Sequence, residues 1–419
     1  MIGDQYGLPI PADPATLLSG GASFLTKVFR AAGTLDDNSV VHIGDYREID
    51  GGSTGRKVVL SVEYDRPAPD LHTDLFVKFS RDFDNPVRDR GKTQMEPEVR
   101  FASLSRTPEF PIAIPCAQFA DYHGQTGTGL LITERITFGG NGIERQYHKC
   151  LDYEMPEPLE HYRALLTALA RLAGTHRSGR LPAELTAHFP LDVRAATVGE
   201  RAALSAEQLD RRVNQLAEFA RTHPGLLPAN VGSPEFLARL RDDVARVALH
   251  EHTIAHQLAD DSDYVALCHW NANIDNAWFW RDTDGALHCG LMDWGCVAQM
   301  NLGMALWGAM SGAETEMWDA HLDELLTLFV TEYERCGGPR LDPSRLRRHM
   351  LLYAAAMGVA WLLDVPALIR KRFDAVPGTR KDPRIRDDES VRAPLQMLSN
   401  LLSAWECHRV GDLLDDAVP

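Results

Sequence analysis

The residues best suited to chemistry lie in one short run, His269-Trp270-Asn271-Ala272-Asn273-Ile274-Asp275-Asn276. Asp293 follows seventeen residues after Asn276, in Gly290-Leu291-Met292-Asp293-Trp294-Gly295. Asn276 and Asp293 offer oxygens of the kind a hard divalent cation takes, with water or phosphate filling its other positions. Far upstream, Leu75-Phe76-Val77-Lys78-Phe79 sets one ammonium in an apolar run. An unpaired buried charge is costly, so this lysine calls for a counter-charge. Glu98 is the expected partner, because Glu96, two residues earlier, leaves a helix in another direction. A paired lysine and a set of cation-binding oxygens suit phosphoryl chemistry, in which charge spreads over phosphate oxygens.

The run from His269 to Asn276, then an apolar strand ending in Asp293, resembles the catalytic loop and metal-binding segment of the aminoglycoside/choline phosphotransferase branch of the protein-kinase-like superfamily. That pattern is His-x-Asp-x-x-x-x-Asn. The resemblance implies that His269 and Asn271 belong to the catalytic loop and that Asn276 and Asp293 hold Mg²⁺. It implies that Lys78, held by Glu98, contacts the phosphates of ATP. It also assigns Gly51, Gly52, Ser53, Thr54 and Gly55 to a loop whose backbone N–H groups cover those phosphates. Hairpin glycines are common for steric reasons, and this turn lacks the order of a P-loop, so its position relative to Lys78 carries the assignment. Leu131 to Ile136, including Glu134 and Ile136, resembles the strand leaving the small lobe, whose backbone meets adenine.

One departure stands out. Where the family keeps the aspartate that accepts the substrate hydroxyl proton, this chain has Asn271, and Trp270 replaces a residue that is commonly small. An amide is no base at neutral pH, and general-base assistance is worth about 10²–10⁴ in rate. Positioning and electrostatics carry much of phosphoryl transfer, so the substitution impairs the chemistry without abolishing it. Asp275 is the nearest alternative carboxylate.

These residues need a scaffold. Apolar spacing predicts a helix from Asp13 to Ala32, then strands at Val40 to Tyr46, Lys57 to Tyr64 and Asp74 to Phe79, separated by glycine- and proline-bearing turns. A helix near Glu96 to Ser105 and strands at Cys116 to Tyr122 and Gly129 to Thr133 complete a small antiparallel lobe, residues 1–134. Residues 135–419 read as mainly helical: Leu159 to Ala173, Ala206 to Thr222, Pro234 to Leu258, Glu314 to Cys336 and Arg345 to Leu363. The candidate loop sits in a β-like island inside this lobe. Val376 to Arg392 reads as an exposed loop. The fold class is therefore α+β, two-lobed and protein-kinase-like.

Composition narrows the partners. The 419 residues carry a formal net charge of −16, which disfavours nucleic acid and anionic membranes. Seven cysteines without a Cys-x-x-Cys pair suit reduced thiols. No secretory signal is expected at Met1 to Ala12, and Leu351 to Leu363 is too short to span a bilayer, so the expectation is a cytoplasmic protein. His250-Glu251-His252 with His256 breaks the zinc-protease order at Ile254. The leading function is ATP-dependent phosphotransfer to a hydroxyl of a small molecule. The alternatives are a nucleotide-binding pseudokinase acting through interaction, and, third, nucleotidyl transfer.

Overall fold

The computed structural model describes residues 1–49, 54–196 and 204–415. The chain separates into two compact units. The first comprises Met1–Ile143, Gly179–Phe189 and Gly290–Val297; the second comprises Glu144–Ser178, Pro190–Cys289 and Ala298–Pro419.

The first unit is built on a five-stranded sheet in the order β1-β2-β3-β5-β4: β1 Val40–Ile49, β2 Arg56–Tyr64, β3 Asp74–Phe79, β4 Ala117–His123 and β5 Thr128–Glu134. Neighbouring strands are antiparallel throughout. Alternate side chains of a strand face opposite sides, and each face here has its own cover. Helix α1 (Pro14–Ala31) starts where the Asp13 carboxylate accepts from the Thr16 N–H, with Pro14 in the first turn. Its Leu17, Leu25, Val28 and Phe29 pack against Val58, Leu60, Val62, Leu75, Val77 and Phe79. Each such side chain contributes roughly 1.5–3 kcal/mol on full burial.

Two helices lie between β3 and β4: the short α2 (Pro86–Arg90), which the sequence reading did not foresee, and α3 (Met95–Leu104). Met95, Val99 and Ala102 of α3 meet Ala117, Ala120, Tyr122 and Leu131. An N-terminal arm also docks on β4, where the buried Asp121 carboxylate accepts from the backbone N–H groups of Gln5 and Tyr6 at 3.0 and 3.1 Å.

The second unit is mainly helical. Helix α4 (Pro158–Arg177) is followed by helices at Ala206–Thr222, Pro234–Asp260, Leu302–Met310, Thr315–Arg335, Pro343–Met357 and Glu389–Cys407. Ser205 begins one with a capping box and Ser233 caps the next. The exposed loop expected at Val376 to Arg392 is interrupted by a helical turn, Pro383–Arg386, capped by Asp382, and gives way to helix at Glu389, where the Asp388 carboxylate caps the Ser390 N–H; Ile385, Val391 and Arg392 are buried. Pro343–Arg372 is long and apolar enough to cross a membrane by length and composition, and 78% of its apolar window is buried inside the protein. Four further short strands occur in the chain: β6 (Val265–His269) pairs with β9 (Val297–Asn301), and β7 (Ala277–Arg281) with β8 (Leu287–Leu291).

The five-stranded antiparallel sheet with α3 packed on one face, followed by a mainly helical unit, is the α+β organisation the sequence led us to expect.

Candidate functional site

In the first unit Lys78 lies on β3 with its side chain on the face opposite α1. Its Nζ donates to Glu98 Oε2 and to Asp293 Oδ1, both at 2.6 Å. Glu98 reaches it because Met95, Glu98 and Ala102 share the buried stripe of α3. Glu96 leaves on the exposed side and pairs with Arg100, also at 2.6 Å. The Lys78 and Glu98 side chains are only 8% and 7% exposed, against 44% for Asp293. Burial alone would lower the lysine's pKa, but the two carboxylates more than reverse this, and it stands raised. Burial holds Glu98 above the ordinary carboxyl value, with Asp293 adding to it against the pull of Lys78.

Asp293 is delivered to this unit by backbone pairing. Gly290 forms a parallel bridge with Ala113, and the Leu291 N–H donates to the Ala113 carbonyl at 3.0 Å. The chain then turns through Asp293 in the left-handed region, φ 62°, which aspartate tolerates better than most residues. Trp294 follows, stacked on Phe101 of α3 at 3.9 Å between ring centroids.

Of the glycine-rich turn, Gly51, Gly52 and Ser53 lie outside the described residues. Thr54 and Gly55 form its root. Gly55 has φ +54°, and a Cβ there would sit 1.7 Å from the Phe79 carbonyl oxygen, so only glycine fits. Its carbonyl accepts from Arg88 of α2. At the other end of the sheet, Glu134 Oε1 accepts from the Cys116 N–H at 2.8 Å, and the Glu134 backbone carbonyl accepts from the Thr133 hydroxyl at 2.8 Å. Ile136 is half-buried just beyond.

In the second unit His269 is fully buried at the end of β6. The following loop is tied by side-chain amides: Asn273 Nδ2 donates to Asn271 Oδ1 at 2.6 Å, and Asn276 Nδ2 donates to the Asn271 backbone carbonyl at 2.8 Å. That bond fixes the Asn276 amide with its Oδ1 as the remaining coordinating atom, the atom type Mg²⁺ takes. Asp275 pairs with Lys149 at 3.9 Å, so its carboxylate is committed to a cation. Gly308 lets the loop lie close, since a Cβ there would meet the Trp270 carbonyl oxygen at 1.7 Å. β6 itself is pinned by His176, whose Nδ1 accepts from the Leu267 N–H at 3.2 Å. Burial, helped by Arg177, lowers the His176 pKa to about 4 and keeps that nitrogen unprotonated at neutral pH.

Sequence reasoning missed Lys57, Lys149 and Asp152. Asp152 is buried, accepts from the Tyr162 hydroxyl at 2.7 Å, and is pushed up to about 7 by burial, with the Glu314 and Asp275 charges adding to the effect. Nothing in its local sequence signals that burial. His252 and His256 are exposed on their helix, and among the described residues no group of three or more His, Cys, Asp or Glu side chains is arranged to hold a metal ion. Mg²⁺ bound with a nucleotide needs only one or two protein oxygens.

No protein-family model and no curated protein matches the chain. Among solved structures it is similar to an aminoglycoside-3'-phosphotransferase of type VIII, at 18% identity over 80% of this chain and 98% of that one, TM-score 0.38. It is similar to the Plasmodium vivax ethanolamine kinase, at 10% identity over 87% and 83%, TM-score 0.44. A third is the GDP complex of wild-type aminoglycoside 2'-phosphotransferase-IIIa, at 13% identity over 91% and 98%, TM-score 0.41.

Proposed function

We propose that this protein is an ATP-dependent phosphotransferase that acts on a hydroxyl group of a small molecule. The observation that carries the reading is the buried Lys78, shared at 2.6 Å by a helix carboxylate, Glu98, and a carboxylate 215 positions along the chain, Asp293. A lysine locked in this way is a preorganised positive charge, which electrostatic stabilisation of a phosphoryl group requires.

In this reading Lys78 orients the phosphates, Glu98 holds Lys78, and the turn from Gly51 to Gly55 covers them. Glu134 and Ile136 flank the adenine. Asp293 and Asn276 supply oxygens to Mg²⁺, which, when bound, neutralises phosphate charge. Asn271, on the loop after His269, orients the acceptor hydroxyl without taking its proton. The acceptor is a small hydroxyl-bearing molecule, and neither nucleic acid nor a membrane takes part.

A second reading is favoured by one observation. At the position where the resemblance implies a base the chain carries an amide, Asn271, and its Oδ1 is engaged by Asn273. In that reading the protein binds nucleotide and acts through interaction, with little transfer.

Calorimetric titration with ATP, with and without Mg²⁺, on the wild type and Asp293→Ala tests the proposal. Saturable, Mg²⁺-dependent binding that weakens in the variant is expected. No binding up to millimolar ATP, weaker than about −4 kcal/mol, would sink it.

A further inference from the structure

Lys57 is a second lysine on the same face of the sheet as Lys78. The two residues are direct partners in the antiparallel register of β2 and β3. Val58, Leu60 and Val62 of β2 and Val77 and Phe79 of β3 face α1, so Lys57 and Lys78 both project to the other side, where Glu98 and Asp293 lie. Directly opposed strand residues have Cβ atoms about 4.5–5.5 Å apart, and like charges so placed repel.

The two carboxylates at this spot are both taken by Lys78. Lys57 is half-buried and, among the described residues, forms no ion pair of its own. Its pKa is lowered by burial and then by Lys78, and Asp293 and Glu98 offset this only in part. An ammonium set beside another and partly withdrawn from water is a cost to the fold unless an anion joins it. The start of its strand is also braced, since Arg88 donates to the Gly55 carbonyl two residues before Lys57.

We propose that Lys57 is a second phosphate-binding cation of the nucleotide site, sharing the polyphosphate of a bound nucleoside triphosphate with Lys78. This rests on the nucleotide reading above. A polyphosphate brings several anionic oxygens on one chain, so it gives Lys57 a counter-charge and quenches its repulsion with Lys78 at once. Lys78, already holding two carboxylates, fixes the position. Lys57 contributes the positive charge still open to a ligand.

The test is calorimetric titration of the full chain with ATP and separately with adenosine, using the wild type, Lys57→Met and Lys57→Arg. Methionine keeps the apolar stem and removes the charge; arginine keeps the charge. Lys57→Met is expected to weaken ATP binding about tenfold or more, the scale of one charge-assisted contact, and to leave adenosine within about twofold. Lys57→Arg is expected to recover most of the ATP affinity. Unchanged ATP affinity in Lys57→Met overturns the proposal while leaving the nucleotide reading intact. So does an equal loss of ATP and adenosine in both variants, which marks a structural role. Failure of the wild type to bind either ligand overturns the nucleotide reading and this inference with it.

Discussion

Asn271→Asp separates the two proposed readings, an impaired transferase and a nucleotide-binding protein with little transfer. The substitution is nearly isosteric, and the loop is already shaped to accept it. Asn271 Oδ1 accepts from Asn273 Nδ2 at 2.6 Å, and an aspartate oxygen takes the same bond more strongly because it is charged. The Asn271 carbonyl keeps its bond from Asn276 Nδ2. The nearest carboxylate in sequence, Asp275, is paired with Lys149, which softens repulsion of the new charge. The gain is that of a general base, about 10²–10⁴ in rate. At 1.36 kcal/mol per decade this removes roughly 3–5 kcal/mol from the barrier. The assay is Mg²⁺-dependent ADP release at saturating ATP, for the wild type, Asn271→Asp and Asn271→Ala. Asn271→Asp should rise by two to four decades, with a loss at acidic pH that the wild type lacks, as the new carboxylate protonates. Turnover within about threefold of the wild type, at unchanged ATP affinity, would refute the view that a base is what this loop lacks.

Two further outcomes follow from the buried charges. Lys78→Met leaves Glu98 and Asp293 without their ammonium and should destabilise the protein by about 3–5 kcal/mol, whereas Lys78→Met with Glu98→Gln should cost less than the sum of the single changes. Guanidinium unfolding followed by circular dichroism reads the cycle, and additivity would mean the pair is not coupled. Asp152 stands at about 7 in the folded protein against an ordinary 3.8, so between these values the native state keeps a proton that the unfolded chain releases. Its contribution to stability therefore falls as pH rises from about 4 to 7 and levels off above. Asp152→Asn, which still accepts from Tyr162, should flatten that slope and raise the unfolding midpoint at pH 8 relative to the wild type; an unchanged slope would exclude this origin.

Much of the scaffold was readable from local pattern. Alternating Val, Leu and Phe in three runs, with glycine and proline between them, specify a meander because the period of two is a property of the strand itself. The helix starts expected at Asp13, Ala206 and Pro234 are equally local, and the structure closes them with caps at Asp13, Ser205 and Ser233. Lys78 stood out because a lone charge in an apolar run is conspicuous, and the spacing from His269 to Asn276 could be read directly. Other features leave little local trace. The short helix Pro86–Arg90 is too brief for periodicity to register, and the docking of Gln5 and Tyr6 on Asp121 joins residues more than a hundred positions apart.

By itself the sequence determined which residues could carry chemistry, which elements would present them, and that an amide, Asn271, stands where the resemblance implies an aspartate. Only the tertiary structure decided which charges meet. Glu98 was the expected partner of Lys78, but that Asp293 joins them was decided by the Ala113 bridge that carries its strand to the first unit. Lys57 looks like an ordinary solvated lysine at the start of a strand until the register sets it opposite Lys78. The physical reason is that a pairing energy depends on distance and burial, and neither exists until the strands and helices that hold the two charges have packed.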